Sequence, residues 1–543
     1  MSKVGHYLQE HLMGEVIDSS NARAHFATDG SIFQVVPSLV VYPKNENDIR
    51  KAARFSWQLA ERGRIIPLTA RGLGTDQSGA AIGSGMVLVF PAHMNKIIEL
   101  ETKSGKVTVE AGINYGKLQQ TLHTHGRFLP PYPPSLEYST LAGAISNNSS
   151  GEKSIKYGNT LDYVKSLRVV IANGEVIETK RLSKRELSKK LGLATFEGEI
   201  YRSIDTLLEE QHELIEGFRR STVKNNAGYN LLDIKHRDGS FDLTPLIAGS
   251  QGTLGIITEA VVKTEAYDPR SSLIMANFDS MEHMQQAIIE LKQLPDVPSA
   301  IEVINSAALQ QIDDLNPNFI KDIIKKPFPQ FILMIEFDGE GRSAKKSIKR
   351  VNKILEKYSI NFESSDDLEE QQKYRKVQDS TNVLIAHNEG LLHPVPLFDG
   401  AVPTDRLREY IDGLTKIMKD GNSKPALWGH IGEGGLSAQP KLNLGHVGDR
   451  QKAFRMMDEH IKLVLELGGT ISSSEGDGRL KTPYLEKMYG NDLYNLLYKV
   501  KQIFDPYGIL NPGVKFGTSV DDLKAIVRPD FNLKHLYDYL PRT

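Results

Sequence analysis

One stretch constrains this chain more than any other: Pro67-Leu-Thr-Ala-Arg71-Gly72-Leu73-Gly74-Thr75-Asp76-Gln77-Ser78-Gly79. It follows an apolar pair, Ile65-Ile66, and holds one arginine among small, hydroxyl and amide side chains. Closely spaced glycines let successive backbone N–H groups converge and form a concave anion site. A pyrophosphate suits such a cradle; an ordinary turn is the alternative the same residues permit. Two familiar phosphate loops do not fit. There is no Gly-x-x-x-x-Gly-Lys-Ser/Thr. Gly72-x-Gly74-x-x-Gln77 lacks the third glycine of the dinucleotide fingerprint, and no apolar helix follows it.

The rest of the chain narrows the chemistry by what it lacks. There is no cysteine among 543 residues, so disulfides, iron–sulfur clusters, thiolate zinc sites and cysteine nucleophiles are excluded together. The length suits two or more domains with cores of their own. A formal net charge of −2 gives no global field favouring nucleic acid or an anionic membrane. Residues 1–18 have no long apolar core, so no signal peptide is expected. No apolar run approaches the roughly 20 residues of a membrane span. A cytoplasmic location follows, with peripheral attachment to a membrane left open.

Residues 1–30 read as helix and then polar chain. Residues 32–42 read as strand broken at Pro37, and 49–62 as a helix after an Asn/Asp-containing turn. Residues 65–68 are expected as the strand that delivers the glycine turn. Strands at 86–90 and 106–110 and a helix at 115–125 continue an α/β alternation. Two strands, 162–171 and 174–179, meet across Asn173-Gly174. The basic run 180–190 reads as a solvated face, and 196–218 as one amphipathic helix. From about 270 to 450 the texture changes: strands at 272–278, 300–303 and 331–337, helices at 282–294 and 343–358. Met281 and Met284, at helical spacing, read as core.

Two further segments are rich in small residues. Four prolines in Pro130-Pro-Tyr-Pro-Pro134 fix an extended path. Ser135, Ser139-Thr140-Leu141-Ala142-Gly143-Ala-Ile-Ser-Asn147-Asn148-Ser-Ser150-Gly151 and Lys156-Tyr157-Gly158 follow. So long a small-residued loop between strands reads as functional. Gly249-Ser-Gln-Gly252-Thr-Leu254-Gly255-Ile256-Ile257-Thr258 is another glycine turn entering a β-rich run.

These three segments, in this order and spacing, resemble the flavin oxidoreductases of the vanillyl-alcohol oxidase/PCMH type. Within them the resemblance is to the branch of the glycolate oxidase D-subunit, D-lactate dehydrogenase and D-2-hydroxyglutarate dehydrogenase. Phe504-Asp505-Pro506-Tyr-Gly508-Ile-Leu-Asn511-Pro512-Gly513 resembles that branch's closing motif, and His393-Pro394-Val-Pro-Leu-Phe-Asp399 its cap-edge segment. The resemblance implies an α+β fold with a two-lobed FAD-binding domain and an α/β cap domain carrying an antiparallel sheet. The expected divisions are an N-terminal segment 1–30, the FAD domain 31–268, the cap 269–500 and a returning segment 501–543. FAD is the implied cofactor. Arg71, Gly72, Leu73, Gly74, Thr75, Asp76, Gln77 and Ser78 would wrap its pyrophosphate. Pro134, Ser135, Thr140, Leu141, Ala142, Gly143, Asn147, Ser150 and Gly151 would line the ribityl and ring path, with Tyr157 and Gly158 close by. Gly252, Leu254, Gly255, Ile256 and Ile257 would close from the other lobe, and Asn511 would return from the C-terminus. With no cysteine, and no histidine in 67–79, the flavin is expected to be non-covalent.

The family's catalytic pattern is altered here. His-x-Gly-Asp-Gly-Asn-x-His becomes His430-Ile-Gly-Glu433-Gly-Gly435-Leu-Ser437. Ser-Gly-Glu-His-Gly-Asp-Gly-Arg becomes Ser472-Ser-Ser474-Glu475-Gly-Asp477-Gly-Arg479. Of the metal ligands that many relatives hold, only His430 carries over, and no metal is expected. Glu475 stands where the family keeps its base histidine, so Glu475 and His430 are the catalytic candidates. An ion pair from Glu475 to Arg479 is the alternative. Arg375, Glu433 and Arg479 are the expected substrate-binding side chains, and a solvated helix position is the alternative for Arg375. The expected activity is oxidation of a small hydroxy compound, with a 2-hydroxy acid first. A sugar or lactone oxidoreductase and a flavin-binding protein without catalysis are the alternatives. Only 27 residues follow Phe516 and none is cysteine. The expected electron acceptor is therefore external: oxygen, a quinone or a carrier protein. The aromatic tail, residues 531–540, is expected to dock on the parent fold. A homodimer is left open.

Overall fold

A computed structural model describes residues 2–218, 224–339 and 342–530; the aromatic tail 531–540 lies outside the described residues. The chain builds two lobes and a cap. The first lobe has a four-stranded sheet ordered Glu15–Ile17, Leu39–Tyr42, Met86–Val89 and Leu68–Arg71. The last three are parallel and the first antiparallel. Its strands are short runs of Val, Leu, Ile and Met buried against the helix Glu46–Ala60. The Asn45 side chain caps that helix by accepting from the N–H of Asp48 at 3.2 Å.

The second lobe is a five-stranded antiparallel sheet. Its order is Ile97–Glu101, Lys106–Glu110, Ile256–Lys263, Val164–Val170 and Val176–Lys180. The cap carries a second five-stranded antiparallel sheet, ordered Asn361–Ser365, Ser271–Phe278, Phe331–Asp338, Ala300–Asn305 and Trp428–Gly429. The period-two pattern splits this sheet between two cores. Ile274, Ile335 and Ile301 bury on one side, and Met275, Met334 and Ile304 on the other.

Three elements depart from the sequence expectation. The strand before the glycine turn is Leu68–Arg71 rather than 65–68; Ile65 is 57% exposed and precedes Pro67, which has no N–H for a ladder. The small-residue segment holds a helix, Leu141–Asn147, whose N-cap Thr140 accepts from the N–H of Gly143 at 3.2 Å. The helix expected over 196–218 is two, Phe196–Glu210 and His212–Gly217, broken at Gln211.

The C-terminal motif stitches the lobes together. Leu68 donates its N–H to the Ile509 carbonyl at 2.7 Å, and Asn511 donates to Leu68 at 2.8 Å. The buried Lys501 ammonium holds the carbonyls of Thr253 and Leu510, both at 2.7 Å, and the Asp505 carboxylate at 2.5 Å.

Candidate active site

The glycine turn, the Thr140–Ala144 segment and the turn at 251–257 converge on one cleft. Its wall includes Arg71 to Asp76, Ser135, Thr140, Ala142, Gly143, Asn147, Gly252, Gly255, Ile257 and Glu475. Among the described residues, the main-chain N–H groups from Gly72 to Thr75 donate to no protein atom. A run of unspent donors on a concave wall fits an anion such as a pyrophosphate. Gly252, at φ +74°, borders open space, with only the Ala70 Cβ within 4 Å of an added methyl group. Among the described residues, no histidine or tyrosine lines the cleft.

Arg71 supports the turn from beneath. Its Nη1 donates to the Ala81 carbonyl at 3.1 Å and its guanidinium lies over the Phe26 ring. Asp76 accepts from the N–H groups of Ser78 and Ala80, at 3.1 and 2.7 Å, and so closes the loop on itself. Asp29 accepts from the Ala81 N–H at 3.2 Å. Burial, reinforced by Asp76, pushes the Asp29 carboxyl up to about 6.

Glu475 reaches this cleft from the far end of the chain. Its Oε2 accepts from Asn147 Nδ2 at 2.8 Å, and the same amide donates to Asp76 Oδ1 at 3.0 Å. Gln251 fixes that amide by donating to Asn147 Oδ1 at 2.9 Å, and its own oxygen accepts from the Gly478 N–H at 2.8 Å. Asp399 shapes the Glu475 turn: it accepts from the N–H groups of Ser473, Ser474 and Glu475 and from Lys481 Nζ. Burial raises the Glu475 carboxyl well above the usual carboxylate range. The charges of Asp76 and Asp399 add to that, and Lys481 opposes it.

Two family models match, one described as an FAD binding domain over residues 37–180 and one as the C-terminal domain of FAD linked oxidases over 268–514. Together they place an FAD-binding region and an FAD-linked-oxidase C-terminal region on this chain. FAD is therefore the group the cleft is built for, and the residues present fit it. The chain is 28% identical over 523 residues to an Escherichia coli D-2-hydroxyglutarate dehydrogenase, covering 93% of this chain and 50% of that protein. It is 27% identical to the Bacillus subtilis glycolate oxidase subunit GlcD, covering 92% of this chain and 94% of the subunit. The chain spans about half the length of the D-2-hydroxyglutarate dehydrogenases it matches. Its fold is that of p-cresol methylhydroxylase, with a TM-score of 0.66 at 14% identity over 93% of this chain and 94% of that one. This is the α+β, two-lobed fold with an antiparallel cap sheet expected from the sequence.

Other expected site residues stand elsewhere. Leu141, Leu254 and Ile256 are core side chains behind the cleft. Gln77, Ser78, Pro134, Ser150, Gly151 and Gly158 are not on its wall, and Tyr157 lines a separate cavity toward the cap. Asn511 acts from behind, donating to the carbonyls of Ala80 and Gln251 at 2.9 and 2.8 Å.

The five substrate-side candidates each hold a partner of their own. Arg479 is buried and donates to the carbonyls of Pro512 and Ile82, both at 2.9 Å, so it ties the C-terminal turn to the first lobe instead of pairing with Glu475. Arg375 Nη2 lies 2.8 Å from Glu336. Glu433 accepts from the buried Lys224 at 2.5 Å. His430 Nδ1 lies 2.7 Å from Glu302 Oε1. Burial pulls the His430 imidazole down, but the Glu302 carboxylate outweighs it and the net shift is upward.

Gln251, Glu302, Asp399 and Asp29 carry these contacts and were not singled out as site residues from sequence. Glu302 had a signal: it is the one acid in Ala300-Ile-Glu-Val-Ile304, a strand otherwise apolar.

Proposed function

We propose that this chain oxidises the CH–OH group of a small hydroxy compound on non-covalent FAD, with Glu475 taking the alcohol proton. Bound FAD supplies the hydride acceptor. The observation that carries the reading is a buried carboxylate on the cofactor cleft with its proton affinity raised. An ordinary glutamate, near 4.3, is too weak a base for an alcohol; burial brings it toward the working range of a general base. Asn147 holds one carboxylate oxygen, so the carboxylate is oriented before substrate arrives. The Asp399 nest fixes the backbone that carries it. The relatives named for 2-hydroxy acids make that class the reference for this site. The resemblance puts Ser437, Ser474 and Glu475 where the family would have its second histidine, its metal glutamate and its base, and this supports reading Glu475 as a rebuilt proton acceptor.

The test is Glu475→Gln, which keeps the shape and removes the base. Anaerobic flavin reduction by a confirmed substrate slows by about 10²–10⁴ while FAD content is unchanged. A rate within a few-fold of wild type moves the role to His430.

A further inference from the structure

A cavity of about 470 Å³ opens between the FAD lobes and the cap sheet. It shares the 132–136 segment with the cofactor cleft: Tyr132 and Leu136 face the cavity, Pro133 and Ser135 the cleft. That segment is the link between the cavity and the cofactor cleft.

Among the described residues, each lysine and arginine on that wall has a carboxylate within 4 Å. Lys153 Nζ lies 3.1 Å from Glu336 Oε1 and 2.5 Å from Asp338 Oδ1. Arg375 shares the same Glu336 oxygen, and Lys156 Nζ lies 3.8 Å from Asp338 Oδ2. Glu152 adds a further carboxylate, held by the Tyr132 hydroxyl and Gln378, both donating at 2.7 Å. Deeper in the interface, Lys224 and Glu433 neutralise each other and are nearly inaccessible.

A substrate carboxylate needs an uncommitted guanidinium or ammonium, ideally a bidentate arginine. Here binding one would mean breaking a buried pair and leaving Glu336 or Asp338 unpaired, or crowding a third anion beside them. A hydroxyl has no such conflict. It donates to a carboxylate oxygen and accepts from an ammonium, and both are present along the wall. We infer that the substrate is a neutral polyhydroxy compound, of the polyol or sugar class, and not a free hydroxy acid. The inference rests on the FAD-linked oxidation proposed above.

Matched pairs separate the two. FAD-loaded protein is mixed anaerobically with glycerol and glycerate, propane-1,2-diol and lactate, and glucose and gluconate. The expected result is flavin bleaching by at least one neutral member and none by its acid. Bleaching by acids and by no neutral partner overturns the inference and leaves the oxidation standing. No bleaching by any compound overturns the oxidation, and the inference with it. A binding measurement is independent of turnover. Calorimetric titration with oxalate gives at most weak binding in the wild type, and Glu336→Gln, which frees Arg375, tightens oxalate at least tenfold. Asp338→Asn is the second variant should the first not fold. Tight oxalate binding by the wild type, or no gain in the folded variants, overturns the inference.

Discussion

Asn147 Nδ2 bridges Glu475 Oε2 at 2.8 Å and Asp76 Oδ1 at 3.0 Å, so one amide joins the cofactor loop to a side chain 328 residues away. The bond favours the charged form of Glu475 and lowers its proton affinity against the larger effects of burial and of Asp76. Removing the amide leaves those upward effects unopposed at that oxygen. In Asn147→Ala the acid limb of the flavin-reduction profile therefore moves to higher pH, because a base is active only when deprotonated. Stopped-flow reduction across pH reads the shift. An unmoved limb means the bridge does not govern Glu475.

The flavin leaves when the protein unfolds. The cleft wall offers no cysteine, histidine or tyrosine for a covalent link. Acid precipitation of the yellow protein is expected to leave all the FAD in the supernatant; flavin colour retained in the washed pellet contradicts this.

Gly252→Val abolishes FAD binding without unfolding the chain. At φ +74° the new side chain carries strain of about 1–2 kcal/mol. Its methyl groups project into the cleft, where no protein atom but Ala70 Cβ stands within 4 Å. The expected product is a folded, colourless protein by circular dichroism and visible absorbance.

The returning C-terminal segment is locked by charge. Lys515 and Asp477 are fully buried at 2.7 Å, and Asp477 also accepts from the Gly228 N–H at 2.8 Å. Lys515→Met strands the carboxylate and costs about 3–5 kcal/mol. Denaturant unfolding followed by tryptophan and flavin fluorescence measures it. Replacing both partners by apolar residues of similar size is expected to cost less.

What sequence made legible was local. The pyrophosphate turn announces itself through Gly72 and Gly74, and the second-lobe turn through Gly252 and Gly255, because backbone freedom is written in residue type. Partnerships across long separations are not. Nothing near Glu475 in sequence points to Asn147, and nothing near Arg375 shows that Glu336 already holds it. The pair Glu475 and Arg479, four residues apart, looked like an ion pair on spacing alone. The chain turns between them at Gly478, with φ +52°, and sends Arg479 to the carbonyls of the first lobe. Leu141–Asn147 reads as loop from sequence because it is short and mostly small residues, with only Leu141 and Ile145 large and apolar. The helix is held instead by its Thr140 cap and by Leu141, Ala144 and Ile145 packed inward.

The central claim is that Glu475 accepts the substrate proton. The most direct measurement is the pH dependence of anaerobic flavin reduction in wild type and Glu475→Gln with one confirmed substrate. The account predicts a wild-type rate that rises through an acid limb above the usual carboxylate range, and a variant that is slower by about 10²–10⁴ and has lost that limb. The same limb at the same pH in both proteins, with rates within a few-fold, would contradict it.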